Sequence, residues 1–326
     1  MLKNKLLKFV LRVFILFAIT IAIVLVLVVQ PVFTDKNLKP QVTNEQNLKK
    51  NVYHLSETIP EQAKDGYRLD NSADYIFSQM SQYTSPYYQD FDVQGVTYRN
   101  VVVSMKGLSD CGTYVIGAHY DTYDDLPGAD DNLSGVAGLI ELTRLFAENP
   151  PKCDLQLVAY TLEEPPYFRS EYMGSYVHAQ TLHDENIDVK AMLSLEMIGY
   201  FNDEIGSQNY PIKGMKHLYS DKGDFISLVG NMAQIGLTRK VKKSMRSSTD
   251  LPVFSINAPA IVQGIDFSDH LNYWQFDFPA IMVTDTAFNR NKNYHTQLDT
   301  AEKLDYQRIT KVVDGVYYAI HQLMDQ

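Results

Sequence analysis

From Val13 to Val29 no charged side chain interrupts a run of mostly Val, Leu, Ile and Phe, and no other segment of the chain is like it. As a helix rising about 1.5 Å per residue, the run would be roughly 25 Å long, enough to span a bilayer with Leu11 and Gln30 at its borders. Beyond it, polar residues 31–43 read as a linker, and the remainder alternates between short apolar runs and helical spacings. Residues 88–98 and 100–105 suggest strands, the second turning through 106–110 into a third at 113–118. In 133–148 the apolar positions Val136, Leu139, Ile140, Leu142, Leu145 and Phe146 recur at helical spacing. The runs 155–161, 191–195 and 280–284 have strand character. Helices are expected over 44–58, 72–83, 171–183, 224–236 and 301–324. Strands alternating with helices argue for an α/β fold with a central sheet covered on both faces. Two polar stretches, 201–222 and 247–272, fit that scheme poorly and are candidate loops over a site.

A length of 326 residues with 45% hydrophobic content allows one large domain plus an appendage. The net charge of −10 offers no basic face to a nucleic-acid partner. Lys3, Lys5, Lys8 and Arg12 precede the apolar run and no acid does, which keeps that end in the cytoplasm and places the rest on the far side. A cleaved signal peptide is the alternative, but its apolar region would span only about 7–15 residues and end in small ones. Residues 28–32, Val-Val-Gln-Pro-Val, offer no such site. The expected organisation is therefore a cytoplasmic flank at 1–12, a single-pass anchor in the cell membrane at 13–30, the linker at 31–43, and a domain at 44–326 on the periplasmic or extracellular side. Cys111 and Cys153 each open an expected strand, and export permits a disulfide between them. Two free thiols remain an equal alternative.

Candidate chemistry concentrates at five places: the pair His119 and Asp121, then Asp131, the pair Glu163 and Glu164, Glu196, and His295. Most of them follow or end an apolar run, where an open α/β sheet forms its ligand-binding crevice. Together they read as the ligand set of a two-metal hydrolase. Two divalent cations about 3.5–4 Å apart need a shared carboxylate and further ligands on each side. Mixed imidazole and carboxylate donors suit zinc. His119 and Asp121 alternate along an extended segment, so one can ligate while the other orients it. Glu163 and Glu164 point in different directions, so one can bind a cation while the other moves a proton between water and a leaving amine. Singly these features are ambiguous. His-x-Asp is also a common surface pair, and Glu163–Glu164 also reads as the acidic start of a helix.

Five motifs, His119-x-Asp121, Gly128-Ala-Asp-Asp-Asn-x-Ser-Gly135, Glu163-Glu164, Leu195-Glu-Met-Ile-Gly199 and Tyr294-His-Thr-x-x-Asp-Thr300, share an order and context with a known family. Over about residues 100–300 the chain resembles the di-zinc aminopeptidases of metallopeptidase family twenty-eight. The resemblance implies a three-layer αβα sandwich around a mixed, mainly parallel sheet of about eight strands. It also implies peptide substrates and two Zn2+ per chain. Asp131 would bridge the ions, because it precedes Gly135 as the family's bridging residue does. His119 and Glu196 would complete one site, and Glu164 and His295 the other. Glu163 would be the general base, Asp121 the acid behind His119, and Tyr294 a donor to the oxyanion. The family often has Asp where this chain has Glu196. By the same resemblance the Asp131–Asn132 peptide is expected to be cis.

The expected activity is hydrolysis at a free N-terminus. Carboxypeptidase-like or glutaminyl-cyclase-like activity, or a receptor-like ectodomain without catalysis, are the alternatives. Asp130 beside Asp131 favours two metals over the single zinc of the cyclases. His270 is a further histidine that either approaches the site or orders a turn. The substrate pocket is expected from 201–222 and 247–272.

Overall fold

The computed structural model describes residues 2–62 and 68–326. Met1 of the expected flank and 63–67 of the expected C-terminal domain lie outside the described residues. The apolar run lies in helix α1 (Leu2–Val29), whose Leu7–Val29 portion has a mean hydropathy of 3.0 and is long and apolar enough to cross a membrane.

Eight strands form one sheet: β1 (Tyr87–Val93), β2 (Val96–Met105), β3 (Thr113–His119), β4 (Asp154–Tyr160), β5 (Val189–Glu196), β6 (Ile226–Gly230), β7 (Val253–Asn257) and β8 (Ala280–Thr284). Their order across it is β1-β2-β4-β3-β5-β8-β6-β7. The centre, β4-β3-β5-β8, is parallel, as is β6 with β7, while β1/β2, β2/β4 and β6/β8 are antiparallel. Every residue of β3 is buried, as expected of a central parallel strand covered on both faces. The β1–β2 hairpin turns on Gln94 (φ 56°) and Gly95 (φ 87°), two left-handed residues that match the right-handed twist of the strands.

One helical layer contains α2 (Glu45–Tyr53), which continues through His54–Thr58 into α3 (Ile59–Gln62), with α4 (Arg68–Met80), α5 (Leu133–Glu148), α7 (Ile235–Ser248) and α9 (Tyr306–Met324). Leu48, Ile76, Leu139, Val241 and Val313 from this layer share one core with Ile116, Leu157 and Leu193 of the sheet. The opposite layer is α6 (Gly174–Asp184) and α8 (His270–Trp274), where Leu182 and Tyr273 pack on Val115, Val158 and Met192. The architecture is the expected three-layer sandwich with a mixed, mainly parallel sheet.

Four expectations are corrected. The expected strand 88–98 is interrupted by the turn at Gln94 and Gly95, so β1 ends at Val93 and residues 96–98 belong to β2. Residues 224–236 are not a helix but strand β6 and a short turn, and α7 begins only at Ile235. The apolar run around Ile226 is too short for its period to decide, and pairing between β8 and β7 makes it a strand. The expected loop 247–272 contains edge strand β7, whose buried Val253, Ser255 and Asn257 alternate with half-buried Phe254 and Ile256. Finally, 31–43 is strapped to the domain. Asn37 N and Lys39 N donate to Ser247 O and Ser248 O (both 2.9 Å), and Tyr318 Oη donates to Pro40 O at 2.8 Å. Asp314 Oδ1 on α9 accepts from Val42 N, Thr43 N and Thr43 Oγ1 at 3.2, 2.9 and 2.6 Å. At the start of the strap, buried Lys242 on α7 donates from Nζ to Val29 O (2.9 Å) and Gln30 O (3.2 Å). Cys111 and Cys153 are joined in a disulfide at the edge where parallel β3 and β4 begin.

Candidate metal centre

His119 ends β3, Glu196 ends β5, and Glu163–Glu164 follow β4. These strands are parallel, so their ends lie on one side of the sheet. Asp131 comes from the β3–α5 loop and His295 from the segment between β8 and α9. Two triads are close enough to hold a cation each, His119–Asp131–Glu196 and Asp131–Glu164–His295, with the ligand atoms of each within 4.8 Å of one another. Asp131 belongs to both. Its Oδ1 lies 3.6 Å from His119 Nε2, and its Oδ2 lies 3.1 Å from His295 Nε2. His119 Nε2 is also 3.3 Å from Glu196 Oε2 and 3.8 Å from Glu163 Oε2. His295 Nε2 is 3.2 Å from Glu164 Oε1.

The supporting contacts tie the loops to the sheet. Asn132 donates from Nδ2 to Leu195 O at 2.8 Å and accepts from Met197 N at 2.9 Å, locking the Asp131 loop onto the end of β5. The Asp131–Asn132 peptide is cis. Asp299 accepts from Asp130 N (3.2 Å) and Asp131 N (3.1 Å), joining that loop to the His295 segment. Asp121 lies behind His119, with its carbonyl 3.1 Å from Nδ1 and its Oδ1 3.5 Å away, while its Oδ2 accepts from Glu164 N at 2.9 Å. Ser268 donates to Glu196 Oε2 at 2.8 Å. Asp299 and Ser268 lie inside or beside readable motifs, but their tasks depend on tertiary contacts that no local pattern carries. His270 is not at the centre. It is buried, with Nε2 2.8 Å from Ile265 O and its ring edge-on to Trp274, so it orders the turn before α8.

Asp131, Glu163, Glu164 and Glu196 are all buried, and among the described residues no Lys or Arg forms an ion pair with them. Burial pushes Glu163 well above the usual carboxylate range and Glu164 up to about 8, with Asp131 adding to the latter. Burial also opposes ionisation of Asp131, but the His119 and His295 imidazoles beside it hold it at about 2. Burial alone would lower His119, yet Glu163 and Glu196 beside it hold it raised. Asp131 Oδ2 and Asp121 Oδ1 are buried without a hydrogen-bond partner. Four carboxylates around two imidazoles, with unsatisfied oxygens, form a donor set that fits divalent cations, and zinc takes such ligands.

Beside Glu196 and Tyr294 opens a cavity of about 100 Å³, walled largely by Tyr210, Tyr219, Phe225, Phe267, Met282 and Phe288. Segments from both expected loops contribute to it. The Tyr294 ring stacks on His295 at 3.7 Å, and Tyr123 stacks on the opposite side at 4.1 Å. Tyr123 belongs to no motif and was not readable as part of the site.

Residues 100–320 match the model of peptidase family M28. The chain belongs to this family. It is therefore a hydrolase of a zinc-type exopeptidase family, with peptides as the substrate class. It is 49% identical over 290 residues to YfbL, an uncharacterized protein of Escherichia coli strain K12, covering 85% of this chain and 88% of that one. It is 25% identical over 237 residues to leucine aminopeptidase 1 of Ajellomyces dermatitidis, covering 68% of this chain but only 56% of the relative. Solved structures share the fold at low identity. The Legionella LapA structure superposes with a TM-score of 0.67 at 20% identity, covering 87% of this chain and 74% of that chain. The Bacillus subtilis zinc aminopeptidase BSAP superposes with a TM-score of 0.66 at 14% identity, covering 87% and 96%.

Proposed function

We propose that this M28 member is a membrane-anchored aminopeptidase acting at a two-zinc centre. The observation that carries the reading is Asp131, whose two oxygens face imidazoles of two separate triads. In this reading His119, Asp131 and Glu196 hold one zinc, and Asp131, Glu164 and His295 hold the other. Bound zinc would acidify the attacking water and polarise the scissile carbonyl. Glu163 belongs to neither triad, yet its Oε2 reaches within 3.8 Å of His119 Nε2. It takes the proton from the attacking water and returns it to the leaving amine. Asp121 fixes the orientation of His119. Burial raises the pKa of Tyr294, so its hydroxyl stays protonated and donates to the oxygen that gains charge during attack. The cavity beside Glu196 takes the side chain preceding the cut bond. The leucine and zinc aminopeptidases among the relatives support cleavage at a free N-terminus.

The same proposal places 13–30 in the cell membrane, the basic flank 1–12 in the cytoplasm, and the residues after 30 on the far side. The apolar Leu7–Val29 helix, the basic residues before it and the Cys111–Cys153 disulfide support that placement. The test is a substrate panel on the zinc-loaded full chain in detergent, pairing each free-amine peptide with its N-acetylated form. Cleavage of the free-amine members alone supports the reading. Release of C-terminal residues, or cyclisation of N-terminal glutamine without hydrolysis, refutes it. Topology is tested by protease added to intact spheroplasts, where protection of the C-terminal domain would refute the placement.

A further inference from the structure

The two imidazoles of the centre are held in different ways. His119 ends a fully buried strand, is 1% exposed, and has Asp121 as the partner of its Nδ1. His295 lies in a segment of turns, has a left-handed φ of 54°, and keeps 22% of its side chain exposed. Its Nε2 faces Asp131 and Glu164, and among the described residues its Nδ1 makes no hydrogen bond. A ligand imidazole ordinarily uses its second nitrogen to fix the rotation of the ring. His295 has aromatic faces instead. Tyr294 lies 3.7 Å from it at 16°, and Tyr123 lies 4.1 Å away at 8°, so the imidazole is held between two nearly parallel rings.

Tyr294 is the chain neighbour of His295 and also lines the cavity. Tyr123 comes from elsewhere: it opens the short turn Tyr123–Asp125, between His119 and Asp131 in the chain. That turn is closed by Leu126 N donating to Tyr123 O at 2.9 Å. It re-enters the centre through Gly128, at φ 63°, where a Cβ would lie only 2.5 Å from Asp131 O. The backbone path between two ligands is thus tightly routed, and it delivers the Tyr123 ring to the ligand that lacks a hydrogen-bonded orienter.

We propose that Tyr123 is a positioning residue for the cation held by Asp131, Glu164 and His295, clamping the imidazole against Tyr294. The inference rests on the two-zinc reading and adds a residue that selectively supports one of its two sites. The ring, not the hydroxyl, does the work, so Tyr123→Phe preserves the clamp and Tyr123→Leu removes it.

The test counts zinc per chain on the full-length protein in detergent, stripped of metal and equilibrated over a series of buffered free-zinc concentrations. The wild type is expected to take up two ions. Tyr123→Leu should bind the first as the wild type does, showing that the fold is intact, and need about 10-fold or more free zinc for the second. Tyr123→Phe should follow the wild type at both steps. The proposal is overturned if Tyr123→Leu binds the second ion like the wild type, if both ions weaken alike, or if Tyr123→Phe weakens as much as Tyr123→Leu. A wild type that never binds a second zinc removes the two-zinc reading first, and this inference with it.

Discussion

Shortening the chain to begin at Asn44 distinguishes a passive linker from a structural strap. The cut removes three donors, Val42 N, Thr43 N and Thr43 Oγ1, from the single oxygen Asp314 Oδ1, on a residue only 4% exposed. It also removes Val42 O and Pro40 O as acceptors for Arg144 and Tyr318. A hydrogen bond to a charged group contributes about 1.5–3 kcal/mol, and a buried charge left without partners costs about 3–5 kcal/mol. The new chain end lets water reach Asp314, which limits the loss to about 3 kcal/mol. For a domain of this size that is a fall in Tm of about 5 °C. The comparison is thermal unfolding, by circular dichroism, of zinc-saturated forms beginning at Pro31 and at Asn44. The pH dependence has a definite sign. Burial raises the pKa of Asp314 and the Thr43 donors oppose that rise, so losing them raises it further. A raised carboxyl pKa means that ionisation opposes folding, so the gap should widen as pH rises from about 4 to 7. Forms that melt within about 2 °C of each other at neutral pH, or a gap that widens towards acid, would refute the reasoning.

Glu163→Gln should keep both zinc ions by elemental analysis and lose about 10²–10⁴-fold in turnover, the usual range for a general base, whereas Asp131→Asn should lose both ions. His178 is buried with Nδ1 2.7 Å from Tyr273 Oη, and burial lowers its pKa to about 3. The unfolded chain therefore takes up a proton that the folded chain refuses, so stability falls by about 1.4 kcal/mol per pH unit below about pH 6.5. In urea titrations of the metal-free protein, His178→Gln should flatten that slope, and an unchanged slope would contradict it. Replacing both Cys111 and Cys153 with Ser should cost about 4 kcal/mol by the loop-entropy rule for their 42-residue separation, read as a lowered urea midpoint.

Legibility followed the range over which each feature is specified. Helix α1 and the strands ending at His119 and Glu196 were readable because long uncharged runs and buried strands leave local patterns. The ligand candidates were readable because each lies in a short motif at a strand end. Strand β6 was misread because its apolar run is too short to show a period, and β7 was hidden in a polar stretch because only alternate residues face inward. The strap at 31–43 has no pattern of its own, since its order comes from Asp314, Ser247 and Ser248, distant in the chain. Tyr123 was invisible for the same reason: its stacking partner His295 is brought to it only by the fold.

The central claim is a zinc pair shared by Asp131. A zinc-edge anomalous difference map from crystals of the zinc-loaded protein tests it most directly. Two peaks about 3.5–4 Å apart are expected. One should lie among His119, Asp131 and Glu196, and the other among Asp131, Glu164 and His295. A single peak, or a pair in which Asp131 touches only one ion, would contradict it.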